Sequence, residues 1–151
     1  SIYFFGVGAS GPVALDAQHK FFRFGIPVVA QTDYINQRMM CSMLGPEDAA
    51  VFISYTGRTT AIVESAALAA AQGARTIGLT RLRSPLAKHC REVLNAVSSE
   101  DTDLYTPMTS RIIHLALIDI LATSVALRLG AQVEKNITAI KRNLRATRQE
   151  N

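Results

Sequence analysis

Hydroxyl-bearing residues are concentrated in a short segment that follows an apolar run over 49–54 and precedes an Ala-rich stretch over 61–71. A helix that begins here would present unpaired backbone N–H groups and the positive end of its dipole, which together favour an anion. Gly57 permits an unusual backbone conformation in the same segment. The sequence therefore predicts a phosphate-binding loop with the hydroxyls of Ser54, Thr56, Thr59 and Thr60.

Arg58 lies within this segment, in what the pattern predicts to be the first turn of a helix. A cation in that position is unfavourable by roughly 0.3–1 kcal/mol unless an anion is nearby. We therefore interpret Arg58 as a partner of a bound anion. The alternative is an Arg58 side chain in solvent, with the hydroxyls serving only to cap the helix.

A second glycine-rich segment, Gly6-Val7-Gly8-Ala9-Ser10-Gly11, fits the pattern G-x-G-x-x-G between a strand and a helix. Together with Asp33, at the distance expected of a ribose-binding acid, it is compatible with a dinucleotide site. Such turns also bind single phosphates, and Ser10 is suited to capping the following helix. Capping and ligand contact by Ser10 are compatible with each other.

Other polar residues give weaker signals. Arg81 and Arg83 follow a predicted strand, where either could meet a carboxylate, although a surface role is the simpler interpretation. Glu100 follows the last predicted strand and is the nearest candidate for a general base. The three histidines have no metal-site spacing, and His114 is expected to pack in the core or an interface. We expect no metal and no cofactor.

Short apolar runs alternate with helical patterns, which is typical of βαβ units and a parallel sheet. We predict an α/β fold in which a doubly wound, five-stranded parallel sheet lies between two layers of helices. Ligands in such sheets bind beyond the carboxyl ends of the strands. The predicted strands are 2–5, 27–31, 49–54, 76–80 and 93–97, and the helices between them are 11–24, 34–43, 58–72 and 85–90.

Two further helices are predicted at 108–129 and 132–147. The first is apolar nearly all round, so it must be buried on more than one side, whereas a sheet covers only one. We expect these helices to form a dimer interface. No apolar run approaches the ~18 residues of a membrane span.

The composition is that of a folded domain: 151 residues are 48% hydrophobic and 19% charged, which excludes disordered and fibrous classes. The net charge of +4 is compatible with an anionic partner. Two widely spaced cysteines indicate neither a disulfide framework nor a zinc site, so a cytoplasmic setting is expected. We interpret residues 1–151 as one domain from a longer protein.

The order of these motifs resembles the sugar isomerase (SIS) domain: a strand, a Gly-x-Gly-x-Ser turn and, about 45 residues later, a strand followed by Ser-x-Thr-Gly-x-Thr. The first helix, with Val13-Ala14-x-Asp16 and Lys20-Phe21-x-Arg23-x-Gly25, resembles the sensor domains of RpiR-type transcriptional regulators. The stretch from Phe5 to Phe21 is similar to HexR-type repressors of hexose catabolism.

This resemblance implies a flavodoxin-like strand order and a domain that senses a phosphorylated sugar acid, 2-keto-3-deoxy-6-phosphogluconate, without catalysis. It further implies a homodimer or tetramer that contacts DNA only through an N-terminal helix-turn-helix domain, and no membrane. Thr56 replaces the commoner serine of the second loop and keeps its hydroxyl. The expected ligand contacts are Ser10, Ser54, Thr56 and Thr59, with Gly8, Ala9, Tyr55, Gly57, Arg58 and Glu100 completing the site.

Two other functions remain open on the sequence. An aldose–ketose phosphate isomerase would need Glu100 as base and a histidine beside it, and the sequence shows no evident histidine partner. A dinucleotide-binding dehydrogenase domain would account for the first turn and Asp33, but it leaves the second loop unexplained.

Overall fold

The computed structural model describes residues 1–101, 103–104, 106–145 and 147. Strands and helices alternate in the first two thirds of the chain, and two long helices follow. The strands are β1 (Ile2–Gly6), β2 (Val28–Gln31), β3 (Ala49–Ile53), β4 (Arg75–Thr80) and β5 (Glu92–Asn95). The helices are α1 (Gly11–Phe21), α2 (Tyr34–Cys41), α3 (Thr60–Ala71), α4 (Thr109–Leu129) and α5 (Ala131–Arg145).

All strand pairs in the sheet are parallel, and the order is β2-β1-β3-β4-β5. This is the flavodoxin-like order that the family resemblance implies. The connections from β1 and β3 leave in opposite directions, which opens a crevice at the carboxyl ends of these two strands. Gly6 of β1 pairs with Ile53 of β3 at this edge, so the two predicted loops begin side by side.

Neighbouring residues of the central strands enter different cores, as expected for strands covered on both faces. Phe4 and Val51 pack with α1, α4 and α5, whereas Phe5 and Phe52 pack with α2 and α3. The arrangement confirms the predicted three layers.

Helix ends follow local chemistry. Gly25 and Gly73 end helical segments with φ of 75° and 83°, a conformation that glycine adopts without steric cost. The prediction of a helix at 85–90 is wrong, because Leu86–His89 is a single 3-10 turn and not an α-helix. Ser84 Oγ accepts from Ala87 N at the start of this turn, at 3.1 Å. The predicted helix 132–147 is observed as α5, and residue 146 lies outside the described residues.

The expectation that no apolar run approaches a membrane span needs correction at α4. By length and composition alone α4 is sufficient to cross a membrane, with a mean hydropathy of 1.9. In the folded chain α4 packs along α1 and buries Ile118 and Ala122 in the core. Its outer face is left exposed, with Ile112, Ile120 and Leu127 on it.

Candidate functional site

The first loop brings α1 to the crevice through a tight turn. Gly8 has a φ of 55°, and the 3-10 turn Gly8–Ser10 leads directly into α1. Ser10 is the N-cap residue of α1, yet its side chain makes no capping hydrogen bond. Capping is therefore not what its hydroxyl does here.

The second loop is fixed by its neighbours. Ser54 N donates to Leu79 O at 3.1 Å, and Leu86 N donates to Gly57 O at 3.0 Å. Gly57 has a φ of 62°, and a Cβ at this position would collide with the side chains of Thr80 and Ser84. The backbone of the loop is thus held in place, with Ser54 Oγ hydrogen-bonded to Thr59 Oγ1 at 3.5 Å and Thr56 Oγ1 accepting from Arg58 N at 3.3 Å.

A cavity of about 240 Å³ lies between the two loops and the first turns of α4. This volume is close to the lower end of small-molecule pockets, roughly 300 Å³, and suits one phosphosugar better than a dinucleotide. Six of the predicted ligand residues line it: Ala9, Ser10, Ser54, Tyr55, Thr56 and Thr59. The other lining residues are Val7, Asp103, Pro107, Ser110, Arg111 and His114. Gly8, Gly57, Arg58 and Glu100 shape its surroundings without lining it.

The helix N-termini at this edge of the sheet differ in whether a side chain caps them. Asp33 caps α2 by accepting from Asn36 N at 2.9 Å, and Glu100 occupies the N-terminus of α4. The N-cap residues of α1 and α3, Ser10 and Thr59, make no side-chain capping bond. The N-termini of α1 and α3 therefore line the cavity without a side-chain cap, whereas the N-terminus of α4, which also lines it, is already capped by Glu100.

The position and the partner of Arg58 differ from those that the sequence predicts. Helix α3 begins at Thr60, so Arg58 precedes the helix instead of lying in its first turn. Its Nη2 donates to both carboxylate oxygens of Asp103 at 2.8 and 2.7 Å. This ion pair raises the pKa of Arg58, with Asp103 as the main cause. The anion beside Arg58 is thus a side chain that lies 45 residues further along the chain.

The role of Glu100 also differs from the one that the sequence predicts. Its carboxylate accepts from the backbone N–H groups of Met108, Thr109 and Ser110 at 2.8 to 2.9 Å. Hydrogen bonds to Ser110 are the main cause that lowers the pKa of Glu100 to about 2. In this structure Glu100 therefore caps the N-terminus of α4.

Tyr55 and Arg81 act together. Tyr55 Oη donates to Ser98 O at 2.6 Å, and Arg81 Nη2 donates to Tyr55 Oη at 2.9 Å. The guanidinium of Arg81 stacks over the Tyr55 ring, 4.6 Å from its centroid. Arg81 therefore fixes a wall residue of the cavity, and neither Arg81 nor Arg83 lines it as the carboxylate contact that the sequence offered.

The sequence prediction missed Ser110, Arg111 and His114 as cavity residues. Ser110 and His114 share the buried face of α4 with Ile118 and Ala122, at four-residue spacing, so the pattern predicts only packing for them. Burial lowers the pKa of His114 to about 4, which leaves its imidazole neutral. The end of α4 that carries them is brought to the site by the Glu100 cap.

Within the part of the chain that the structure describes, no group of three or more His, Cys, Asp or Glu side chains could hold a metal ion. Asp33, the acid of the dinucleotide alternative, is engaged in capping α2.

Comparison with known proteins shows the family to which this architecture belongs. The family model described as SIS domain matches residues 1–124. The chain belongs to the SIS domain family. The HTH-type transcriptional regulator HexR of Pseudomonas aeruginosa is 52% identical over 147 residues, covering 97% of this chain and 52% of that protein. HexR of Escherichia coli is 45% identical over 147 residues, covering 97% and 51%.

Among solved structures, the Vibrio vulnificus NanR protein complexed with ManNAc-6P matches this SIS domain with a TM-score of 0.88 at 23% identity, covering 99% of this chain and 56% of that one. That match concerns the fold. The SIS domain spans about half the length of the curated relatives it matches.

Proposed function

We propose that this SIS domain is the effector-sensing part of a transcriptional regulator of sugar catabolism, and that it binds a phosphorylated sugar acid without turning it over. The observation that carries the proposal is the pair of helix N-termini, α1 and α3, that open on one cavity without side-chain caps. Each offers backbone N–H groups and a positive dipole end to the same space, next to the hydroxyls of Ser10, Ser54, Thr56 and Thr59.

The ligand's phosphate is expected between Ser10 on one side and Ser54, Thr56 and Thr59 on the other. Hydroxyls and backbone N–H groups both donate to phosphate oxygens, and charge-assisted bonds of this kind are worth about 1.5–3 kcal/mol each. Gly8 has nothing within 4 Å of the position where a Cβ would stand, so a phosphate has room to approach the backbone there. The preferred effector in this proposal is 2-keto-3-deoxy-6-phosphogluconate.

The regulatory role is supported by the two HexR proteins, which match nearly the whole chain. Because the match covers about half of each, we propose that the DNA-binding domain lies in the part of such proteins that this chain does not span. DNA is then a partner only through that domain, and the complete protein acts in the cytoplasm.

A second candidate is an aldose–ketose phosphate isomerase, because the structure does bring a histidine, His114, to the cavity. The reaction also needs a carboxylate base. Glu100 is bound to three N–H groups, and Asp103 is paired with Arg58. These pairings favour binding over catalysis.

Helix α4 supports a homodimer or tetramer. Met108, Ile112, Ile120 and Leu127 lie along its outer face and are each more than 60% exposed. An apolar stripe of this length is typical of a surface that another protein covers. We propose that a second copy of the chain packs there.

A thermal-shift titration tests the binding proposal. We expect 2-keto-3-deoxy-6-phosphogluconate to raise the melting temperature, since ligand at 100 times Kd adds about 2.7 kcal/mol to the free energy of unfolding. Ser54→Ala should lose most of this protection, whereas Ser42→Ala, an exposed serine at the end of α2, should keep it. No protection of the original chain by this or any related sugar phosphate would refute the proposal, and steady interconversion of sugar phosphates, followed by NMR, would favour the isomerase.

A further inference from the structure

Helix α4 supplies a second wall of the cavity, made by Ser110, Arg111 and His114. The cap that Glu100 places on Met108, Thr109 and Ser110 fixes the position of this wall. The N-terminus of α4 therefore already holds an anion, which leaves the side chain of Arg111 as the group on this side that is suited to a further anion.

His114 has unused hydrogen-bonding capacity at this wall. Its side chain is 2% exposed, and its Nε2 has no hydrogen-bond partner within the described residues. The edge of its ring faces Tyr55, with ring centroids 6.2 Å apart and planes at 65°. A buried polar atom without a partner costs free energy, and a ligand oxygen that supplied the partner would recover it.

Arg111 supplies the charge. It is the single cation among the described residues that line the cavity, and Asp103 is the single carboxylate. Asp103 is neutralised by Arg58, whereas Arg111 forms no ion pair with any residue in the described ranges. A planar guanidinium with several parallel N–H groups is suited to bind a carboxylate with two hydrogen bonds.

We propose that Arg111 and His114 form a subsite for the acid end of the ligand, in which Arg111 pairs with the carboxylate and His114 binds a neighbouring hydroxyl or keto oxygen. This rests on the proposed function, because the phosphate must hold the other end of the ligand at α1 and α3. The cavity of about 240 Å³ places both ends of a small phosphosugar within one site. Arg111 thereby replaces Arg81 and Arg83 as the carboxylate contact.

Two probes that differ at one carbon test the subsite. 6-Phosphogluconate carries a carboxylate where glucitol 6-phosphate carries a hydroxymethyl group, and both are open chains with the same phosphate. We expect calorimetry to show at least about tenfold tighter binding of 6-phosphogluconate, as one charge-assisted pair would give.

Arg111→Gln should abolish this preference and leave the Kd of glucitol 6-phosphate within about twofold. Arg128→Gln, which removes an exposed charge from the other end of the same helix, should leave the Kd of each probe unchanged. Ser54→Ala should weaken both probes equally.

His114→Phe keeps a ring beside Tyr55 and should weaken both probes by about fivefold, with partial recovery in His114→Gln. Far-UV circular dichroism and melting curves establish that each variant folds, and His114→Gln serves if the phenylalanine variant does not.

Equal binding of the two probes by the original chain, or equal loss of both in Arg111→Gln, would overturn the carboxylate subsite while the phosphate site stands. Unchanged binding in a folded His114→Phe would remove His114 from it. Failure of the original chain to bind either probe would overturn the subsite, and failure to bind 2-keto-3-deoxy-6-phosphogluconate as well would overturn the proposed function.

Discussion

Side chains at helix N-termini have different roles depending on whether their oxygens are already bonded. The carboxylates of Asp33 and Glu100 accept hydrogen bonds from backbone N–H groups at the starts of α2 and α4. In contrast, Ser10 and Thr59 occupy N-cap positions without a side-chain capping bond. A residue type alone does not distinguish these cases, because all four are common near helix starts. The side-chain oxygens of Ser10 and Thr59, which cap no helix, lie at the cavity that we propose binds the ligand.

Ser10 and Asp33 form a matched pair for a test. Ser10→Ala should change the free energy of unfolding by less than about 0.5 kcal/mol, because no cap is lost, and should weaken phosphosugar binding about tenfold. Asp33→Ala should cost about 1 kcal/mol and leave binding nearly unchanged. Urea unfolding and calorimetry measure the two quantities. A destabilised Ser10→Ala with normal binding would show that Ser10 is a cap after all.

The sequence predicted which residues meet at the crevice where they follow strands in local strand–loop–helix patterns. It did not predict contacts between distant segments of the chain. Ser10, Ser54, Thr56 and Thr59 belong to local strand–loop–helix patterns, so their convergence follows from a parallel sheet. The partner of Arg58 is 45 residues away, and His114 lies on a helix whose apolar pattern hides its role. Such contacts depend on packing that no local pattern encodes.

At the scale of elements, the capped start of α4 determines the shape of the cavity. Glu100 is joined to the first turn of α4, while Tyr55 of the second loop is joined to Ser98 just before it. Ser98 and Glu100 thereby connect the second loop to the helix that carries the exposed apolar residues. The sequence predicted the helix but not its cap, because Glu100 lies eight residues before the first N–H group it accepts.

Glu100→Gln tests the cap. The variant should melt at a lower temperature at pH 7, and amides of Met108 to Ser110 should exchange faster with solvent in hydrogen exchange measured by NMR. Because folding lowers the pKa of Glu100 to about 2, the stabilisation is fully present above the ordinary pKa of 4.5. It is lost as pH falls through about 2, so the difference between variant and original should shrink over that window. A difference that stays constant down to pH 2 would argue against a role for the ionised carboxylate.

At the scale of the whole molecule, the two faces of the sheet have different surroundings. The layer of α2 and α3 exposes Tyr34, Ile35 and Met39, whereas the outer face of α4 exposes Ile112, Ile120 and Leu127 with Asp119 and Thr123 among them. Composition and periodicity were sufficient to predict three layers. The strand order β2-β1-β3-β4-β5 was implied by the family resemblance alone, because local patterns do not specify which strands are neighbours.

The proposed interface on α4 is tested with Ile120→Asp. A charge at this 63% exposed position should shift the protein from dimer or tetramer to monomer in light scattering coupled to size exclusion. Met39→Asp, at a 54% exposed position on α2 in the opposite layer, should leave the assembly unchanged. A chain that is already monomeric at high concentration would refute the interface.

The central claim is that the phosphate of the effector binds at the N-termini of α1 and α3, and an NMR titration of the 15N-labelled domain with 2-keto-3-deoxy-6-phosphogluconate tests it most directly. Saturable shifts should be largest for the amides of Ala9 to Val13 and of Thr56 to Ala61, and the first turn of α2, capped by Asp33, should stay unchanged. Saturable shifts that spare both uncapped helix starts, or no shifts at all, would contradict the account.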